Sequence, residues 1–456
     1  MRRLRALALA AGIALAPAAA QAQSLGDALV LAYDSSDLLV QQRNLLAALD
    51  EDVAQAVAAL RPTISYFAQV QASDSSLRGT DATGSLGLLL DFVIADGGRR
   101  AFQIGAAKEA VLSARWSLQQ VESQVLFDAV SAYLDLRLAA RVVDVSEANL
   151  RLLTQQLRAA QDRFEVGEVT RTDVSIARAR LAASRSQLAL ARGQVDIARE
   201  AYRLATGHTA GGRLPALPPA PQLPPTVERA QDLAVQINAT IKALQHDVTA
   251  GELLVNLADA QRLPSVNLQG GVTYAEPDAG NASVTLEARG PLFTGGRLPS
   301  LSRQAKARVA ATRAGLAQQA RVVAQAVGTA WAQLEIARAQ VIASDEQIRA
   351  ATLAFEGFRE EALLGARTTL DVLDAEQELL DARLARLEAE TQAQLAVYRV
   401  LFAIGLLTVD HLGLDVQRYD PDAYYTAVRD APIGSIRGST ARGDRLDRVL
   451  RRFGRD

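Results

Sequence analysis

The chain has 456 residues, of which 49 are basic, 51 are acidic and none is cysteine, and its formal net charge is −2. This balance provides no field of one sign that would recruit nucleic acid or an acidic partner, and a chain without cysteine forms no disulfide. Aromatic residues make up only 5% of the chain, which is low for a compact core and is compatible with alanine-rich helix packing.

Residues 1–22 are typical of an export signal. Three arginines precede an apolar run over residues 7–15, and Ala20-Gln21-Ala22 matches the A-x-A cleavage pattern. The run is too short to remain as a spanning anchor, and no cysteine is available there for lipid attachment. We therefore expect the mature chain to begin at Gln23 and to work beyond the inner membrane. No later apolar run reaches spanning length, so entry into a membrane would have to use strands.

The sequence contains two copies of one repeated unit. Three pairs of glycines share one offset of 198 residues: Gly97 and Gly295, Gly167 and Gly365, and Gly207 and Gly405. A constant offset predicts two copies of a unit that cannot bury its surface alone. We assign the copies to residues 23–207 and 227–405, a proline-rich linker to 208–226 and a tail to 406–456.

Each copy begins with a helical pattern that is followed by two runs of alternating polarity. Apolar residues such as Tyr66 and Leu268 share one face of these runs, and Gln69 and Gln269 lie on the other. The alternation predicts one β-hairpin in each copy. The first hairpin region is four residues longer, and we expect those residues in its loop. The helical patterns cover 25–60 and 233–263, and the alternating runs cover 63–72, 86–94, 266–274 and 284–292.

Long helices are predicted after each hairpin. The chain contains no proline from 99 to 214 or from 300 to 420, and apolar residues recur there every three or four positions. A helix from Arg99 to Arg163 would be about 100 Å long at 1.5 Å per residue. Gly167 and Gly365 interrupt the pattern at equivalent places and predict turns between two helices.

The predicted strands require oligomerisation if they cross a membrane. Unpaired backbone groups at a strand edge cost several kcal/mol each in lipid, so such strands must close into a barrel. The four strands of one chain are too few, because the smallest known barrels have about eight strands. Three copies of the chain would supply twelve strands, and four copies would supply sixteen. A small soluble sheet is the alternative.

The duplicated hairpin, Gly-Gly-Arg, long helix, glycine turn and Asp-Val pair resemble the TolC-like outer-membrane efflux and secretion channels from about Leu25 to Gly405. The resemblance implies a mainly α fold with membrane β-strands, assembled as a homotrimer. It implies a 12-stranded β-barrel in the outer membrane that continues as a periplasmic α-helical barrel. It also implies a periplasmic adaptor and an inner-membrane ABC transporter or proton-driven pump as partners. Such a channel conducts exported substrates passively.

The tail adds a finer indication. Leu412–Leu414 and Arg418–Tyr425 look like the segment that follows the last helix in channels of type I protein secretion. This favours protein secretion, with small-molecule or drug efflux as the alternative. A periplasmic adaptor and a structural coiled coil without a pore are the rivals from other classes. The basic end, residues 437–456, is expected to be largely disordered.

Two aspartates beside the second glycine turn are candidates for a pore constriction. Asp371 and Asp374 lie one helical turn apart, and the resemblance assigns this run to the constriction ring. Two stacked rings of carboxylates would attract cations and disfavour anions. Thr368 and Thr170, however, stand three residues before Asp371 and Asp173, which is the spacing of a helix cap. Capping and a role in the pore or its gate therefore both remain open for these two aspartates.

Three further residues match positions that hold the entrance closed in the family. Arg367 and Thr172 match one link between neighbouring helices, and Asp173 matches one side of a second link. The tyrosine expected opposite Asp173 falls at Ala362, which leaves that link without its partner.

The two helix turns are candidates for docking the adaptor. A glycine at each turn also permits a left-handed backbone, so a structural and a docking role are compatible. The docking candidates are Val166, Gly167, Glu168, Leu364, Gly365 and Ala366.

Nothing in the sequence indicates catalysis or a cofactor. The three histidines, His208, His246 and His411, are far apart and have no metal-ligand spacing. The glycine pairs do not form a phosphate-binding loop, and no G-x-S-x-G occurs. We expect a non-enzyme.

Overall fold

A computed structural model describes residues 24–75, 79–211, 214–275 and 280–431, with only the backbone described at residues 73–75 and 79–83. The predicted export signal and the basic end of the tail lie outside the described residues. The chain divides into two compact units. One unit consists of residues up to 40, 119–239 and 319–417, and it contains the two turns at Gly167 and Gly365. The other contains the four strands, with residues 41–118, 240–318 and the chain from Arg418.

The helices recur in pairs of equal length. Those before the hairpins have 11 and 22 residues in both copies, and those after the hairpins have 67 and 36. The predicted duplicated unit of a hairpin and long helices is therefore confirmed. In the first copy the helices are α1 Leu25–Ser35, α2 Asp37–Ala58, α3 Arg99–Glu165 and α4 Arg171–Thr206. In the second they are α5 Val227–Ile237, α6 Ala239–Ala260, α7 Arg297–Leu363 and α8 Thr369–Ile404, and the tail adds α9 Val409–Leu412 and α10 Pro421–Val428.

The prediction of one continuous helix before each hairpin is wrong. The backbone leaves the helical region at Ser36 and again at Asn238, where ψ is 112° and 128°. The Ser36 hydroxyl accepts a hydrogen bond from the backbone N–H of Leu39 at 3.3 Å. The Asn238 amide donates to the backbone carbonyl of Ala403 at 3.3 Å. Serine favours such a local hydrogen bond over an unbroken helix, which accounts for the break at Ser36, whereas Asn238 is held by a bond to the end of α8.

The four strands form one antiparallel sheet in the order β1-β2-β3-β4. Their bounds are β1 Thr63–Ser75, β2 Gly79–Ala95, β3 Ser265–Ala275 and β4 Asn281–Arg289. The four extra residues of the first hairpin do not lengthen its loop as predicted, because they lie in the paired strands. The second hairpin also ends earlier than predicted. Pro291 has no backbone N–H to donate to a neighbouring strand, which disfavours a continuation of the strand. β4 therefore ends at Arg289, and Leu292 lies beyond it.

The strand register places apolar residues on one face of the sheet. Tyr66 pairs with Leu88, which pairs with Val272, and all three side chains are more than half exposed in the single chain. Directly opposed residues share a face of an antiparallel sheet. On the opposite face, Thr63 pairs with Asp91, Asp91 with Gln269, and Gln269 with Thr285. The predicted apolar face is thus present, whereas the opposite face is mainly polar and includes the apolar exceptions Phe67, Leu89 and Val93.

Among the described residues, no helix has both the length and the hydropathy that a membrane crossing requires.

Candidate functional site

The two turns between long helices are built alike. Gly167 and Gly365 have φ values of 80° and 74°, in the left-handed region that favours glycine. The next backbone N–H, of Glu168 or Ala366, donates to a helix carbonyl five residues earlier at 2.9 Å. These bonds satisfy carbonyls at the ends of α3 and α7. Within the described part of the chain, a Cβ at either glycine would have no neighbour within 4 Å other than the two adjacent residues. Backbone conformation, not space, therefore requires glycine here.

Both predicted helix caps are present. The Thr170 hydroxyl accepts from the Asp173 N–H at 3.3 Å, and the Asp173 carboxylate accepts from the Thr170 N–H at 2.8 Å. Thr368 and Asp371 repeat the arrangement at 3.2 and 2.9 Å. The backbone and hydroxyl hydrogen bonds from Thr368 hold the pKa of Asp371 below its ordinary value. Both aspartates therefore begin a helix, whatever further role they have.

The turns present apolar side chains to solvent. Val166 is 72% exposed and Leu364 is 85% exposed, and Glu168 and Ala366 beside them are exposed as well. Beneath each turn the helices are packed tightly. Val174 and Leu373 lie in the buried cluster under the first turn. The turns are thus exposed apolar tips above packed helices.

Arg367 is held within its own turn. Its Nε donates to the Glu361 carboxylate at 2.8 Å, and its guanidinium lies 4.6 Å from the centre of the Phe358 ring. Thr172 is exposed in the first turn of α4. Ala362, where the resemblance would require tyrosine, packs half-buried against the cluster around Phe355. The structure of the single chain therefore pairs Arg367 with Glu361.

Asp374 joins two helices through an arginine that the sequence analysis did not identify. The Asp374 carboxylate accepts from Arg180 Nη2 at 2.7 Å, which links α8 to α4. The two side chains are 56% and 39% exposed. A surface ion pair of this kind contributes at most about 1 kcal/mol. Asp374 is therefore paired but readily released.

Glu376 is the second residue of this region whose position the sequence does not indicate. It is 4% exposed, and within the described part of the chain neither carboxylate oxygen receives a hydrogen bond. It borders a cavity of about 30 Å³ together with Arg180, Leu153 and Leu373. Burial raises the pKa of Glu376 to about 7. An acid in a helix of mixed charge gives no sequence signal that it faces inward.

The described residues contain no group of three or more acidic or histidine side chains placed to hold a metal ion. The His246 Nδ1 instead lies 2.8 Å from the Glu109 carboxylate, as an isolated pair between α6 and α3.

The chain is similar to known proteins over most of its length. The outer membrane efflux protein family model matches residues 28–208 and 231–406. The outer membrane efflux protein BepC of Brucella suis is 34% identical over 94% of this chain and 95% of its own length. TolC of Vibrio cholerae is 25% identical over 90% of this chain and 96% of its own. The alkaline protease secretion protein AprF of Pseudomonas aeruginosa is 26% identical over 67% of this chain and 66% of its own length.

The fold is similar to that of solved outer-membrane channels. The Campylobacter jejuni CmeC channel superposes with a TM-score of 0.76 at 16% identity, over 91% of this chain and 90% of that one. The predicted TolC-like resemblance and the outer-membrane location are confirmed, which sets aside the adaptor and the coiled coil without a pore. The chain belongs to the outer membrane efflux protein family.

Proposed function

We propose that three copies of the chain form a channel that passively conducts exported substrates across the periplasm and the outer membrane. The observation that carries this proposal is the sheet. Its apolar face crosses all four strands, and β1 and β4 are its edges. In lipid such edges need partners, and a second copy can supply them by pairing its β1 with β4.

A second surface supports the same assembly. Leu190, Ile197 and Leu204 follow one another every seven residues on α4 and are 65%, 64% and 89% exposed. A seven-residue apolar repeat is the pattern of one helix packing against another. Beside this row lies a groove of about 540 Å³, bordered also by Leu138 and Leu384. We propose that helices of a neighbouring copy cover this row.

We propose that the periplasmic end contains both the constriction and the docking tips. Asp371 and Asp374 would form two stacked rings in the trimer, with Arg180 neutralising part of their charge. Arg367 and Thr172 would form one link that holds the entrance closed, and Asp173 would need a partner other than Ala362 to form the second. Because Arg367 is held only by a solvent-exposed pair with Glu361, it can exchange this partner readily for another. Val166 and Leu364 would contact the periplasmic adaptor, which in turn recruits an inner-membrane transporter.

The tail favours protein secretion as the substrate class. The segment from Arg418 to Tyr425, which resembles that of type I secretion channels, is fixed to the α2–α3 pair. The name of the alkaline protease secretion protein AprF associates that relative with secretion of a protease. Small-molecule efflux is the second candidate, favoured by the name of BepC. An ABC transporter would then energise the first function and a proton-driven pump the second.

Deletion of the gene in its native host distinguishes the two functions. We expect loss of one or a few proteins from the culture medium, with unchanged inhibitory concentrations of drugs. Both phenotypes should be read with and without a plasmid that restores the chain. An unchanged set of medium proteins together with increased drug sensitivity would contradict secretion and favour efflux.

A further inference from the structure

The Gly-Gly-Arg motif of the first copy joins two strands within the chain. Arg99, the first residue of α3, donates to three backbone carbonyls at the end of α6. Its Nε lies 3.1 Å from the oxygen of Ala260 and its Nη2 lies 3.3 Å from that of Gln261, and the oxygen of Leu263 is the third acceptor. The last carbonyls of a helix have no partner inside it, and a cation there suits the helix dipole. Because α3 follows β2 and α6 precedes β3, this contact links the bases of two paired strands.

The same motif in the second copy is open. Arg297 begins α7 as Arg99 begins α3, yet within the described residues its guanidinium is exposed and makes no hydrogen bond or ion pair. The glycines differ in the same way. A Cβ at Gly97 would lie 2.7 Å from the Leu263 side chain. A Cβ at Gly295 would meet no atom of the described chain within 4 Å, the two adjacent residues apart. The second motif therefore lacks the helix end that covers the first.

The end of α2 is the counterpart of the end of α6. Residues of the first copy that precede its hairpin correspond to residues 202 positions later, and those that follow it correspond to residues 198 positions later. In α2 the Arg61 N–H donates to the Ala58 carbonyl at 2.9 Å, and in α6 the Leu263 N–H donates to that of Ala260 at 3.1 Å. The two helices therefore end alike. Ala58 is exposed, however, whereas Ala260 is buried.

The sheet keeps these two open parts of one chain apart. Arg297 follows β4 and the end of α2 precedes β1, and these strands are opposite edges of the sheet. Three strand spacings of about 4.8 Å separate the edges. A second copy whose β1 pairs with β4 brings its own end of α2 beside Arg297. The pairing of β3 with β2 brings the end of α6 to Arg99 in the same manner.

We propose that the junction between two copies repeats the junction within the chain. Arg297 of one copy donates to the last carbonyls of α2 in the next copy. These carbonyls belong to Ala58, Ala59 and Arg61. The Ala59 carbonyl already accepts from Arg100 of its own chain at 3.0 Å, and a carbonyl oxygen has a second lone pair for another donor. This contact rests on the trimeric channel of the proposed function and names residues that join its subunits.

The repeat also gives the register of the strands at this junction. Between β2 and β3, Leu88 pairs with Val272. The corresponding pair between β4 and β1 of the next copy is Leu286 with Val70. These two side chains are 65% and 81% exposed in the single chain. Their pairing therefore continues the apolar face of the sheet from one copy to the next.

Arg297 separates registers that the two faces of the sheet do not. A slip of one residue sets apolar against polar side chains, so the alternation excludes it. A slip of two residues preserves both faces. It displaces one strand along the other by about 7 Å, however, which carries Arg297 away from the carbonyls at the end of α2. The arginine contact and the apolar face together leave one register.

Disulfide cross-linking tests the junction, because the chain has no cysteine of its own. Glu287→Cys with Gln69→Cys places cysteines directly opposite each other in the proposed register, on the polar face. After oxidation and heat denaturation we expect covalent trimers, which dithiothreitol converts to monomers. Asp91→Cys with Gln269→Cys, a pair within the sheet of one chain, is the control and should remain monomeric. Glu287→Cys with Gln71→Cys, which is shifted by two residues, should give little cross-linking.

Arg297→Gln tests the arginine contact itself. The change removes charge-assisted hydrogen bonds from every junction, so trimers in detergent should dissociate at least roughly tenfold faster. Exchange of subunits between tagged and untagged trimers measures the rate. Arg297→Lys keeps the charge without the planar fork of donors and should be intermediate. Lys306→Gln, on the same helix, is the control. Lys306 pairs with Asp259 of its own chain at 3.8 Å, so the rate should not change.

Three results would overturn the inference. One is efficient cross-linking of the shifted pair instead of the pair at 287 and 69. Another is the absence of cross-linking by either pair in trimers that do form. The third is an Arg297→Gln trimer that dissociates as slowly as the unaltered one. Each of these leaves the proposed channel standing, because trimers are present. An unaltered chain that forms no trimers would contradict both the junction and the proposed function.

Discussion

A Gly365→Val chain is expected to form trimers normally and to lose export. Valine in the left-handed region is strained by roughly 1–3 kcal/mol, so the turn should relax and carry Leu364 and Ala366 to new positions. Apart from the two adjacent residues, no atom of the described chain lies within 4 Å of the position that a Cβ would occupy, so helix packing should not suffer. Cargo in the medium and cross-linked trimers in the membrane fraction are the two measurements.

The matched control is Gly357→Val in α7. A Cβ at that glycine would also have no neighbour within 4 Å, but the residue lies inside a helix and has no left-handed φ. The control should leave both export and trimers unchanged. Loss of trimers in the Gly365 variant would favour a purely structural turn, and normal export would contradict docking at this tip.

A Glu376→Gln chain is expected to be more stable than the unaltered chain at alkaline pH and equally stable at acid pH. The pKa of Glu376 is about 7 in the folded protein, against an ordinary value of 4.5. Below the ordinary value both states are protonated and the charge has no effect. As the pH rises from that value through 7, the unfolded state ionises more readily and the folded state loses stability. The loss reaches about 3 kcal/mol per chain at most.

Glutamine has nearly the shape of glutamic acid and cannot ionise, so it removes this loss. The measurement is the apparent midpoint of thermal unfolding of purified trimers at pH 4 and pH 8. The difference in midpoint between the Glu376→Gln and the unaltered chain at each pH gives the effect of the charge. Glu378→Gln, at an exposed position of the same helix, controls for the removal of charge. An equal shift of the midpoint at both pH values, or a shift in the control as large as in the Glu376→Gln chain, would contradict a buried ionisable Glu376.

Local patterns in the sequence predict most of the fold because each is decided by its own residues. The left-handed turns follow from Gly167 and Gly365, and the two faces of the sheet follow from the alternation around Tyr66 and Leu268, which Phe67 interrupts. The spacing from Thr368 to Asp371 predicts the helix cap but leaves a second role open. The helix breaks at Ser36 and Asn238 carry a signal as well, since both residues favour caps, but it is weak beside the surrounding helical pattern.

Features that depend on packing between helices could not be predicted in this way. Arg180 and Glu376 stand in helices with many charged residues, and only the packing of α4 against α8 decides that one pairs with Asp374 and the other is buried. The same limit applies to Arg367. Its match to the family suggests a link to another helix, whereas the charge of Glu361 is closer and holds it within its own turn.

The most direct test of the account is the ion selectivity of the purified protein in planar lipid bilayers. Per chain, the proposed constriction contains two carboxylates and the guanidinium of Arg180, so the unaltered channel should prefer cations. Asp374→Asn should weaken that preference and Arg180→Gln should strengthen it, while Asp196→Asn, in a surface pair on α4, should change nothing. Reversal potentials in a salt gradient that shift in these opposite directions are the predicted result. A protein that forms no conducting channel, or reversal potentials that neither variant alters, would contradict the account.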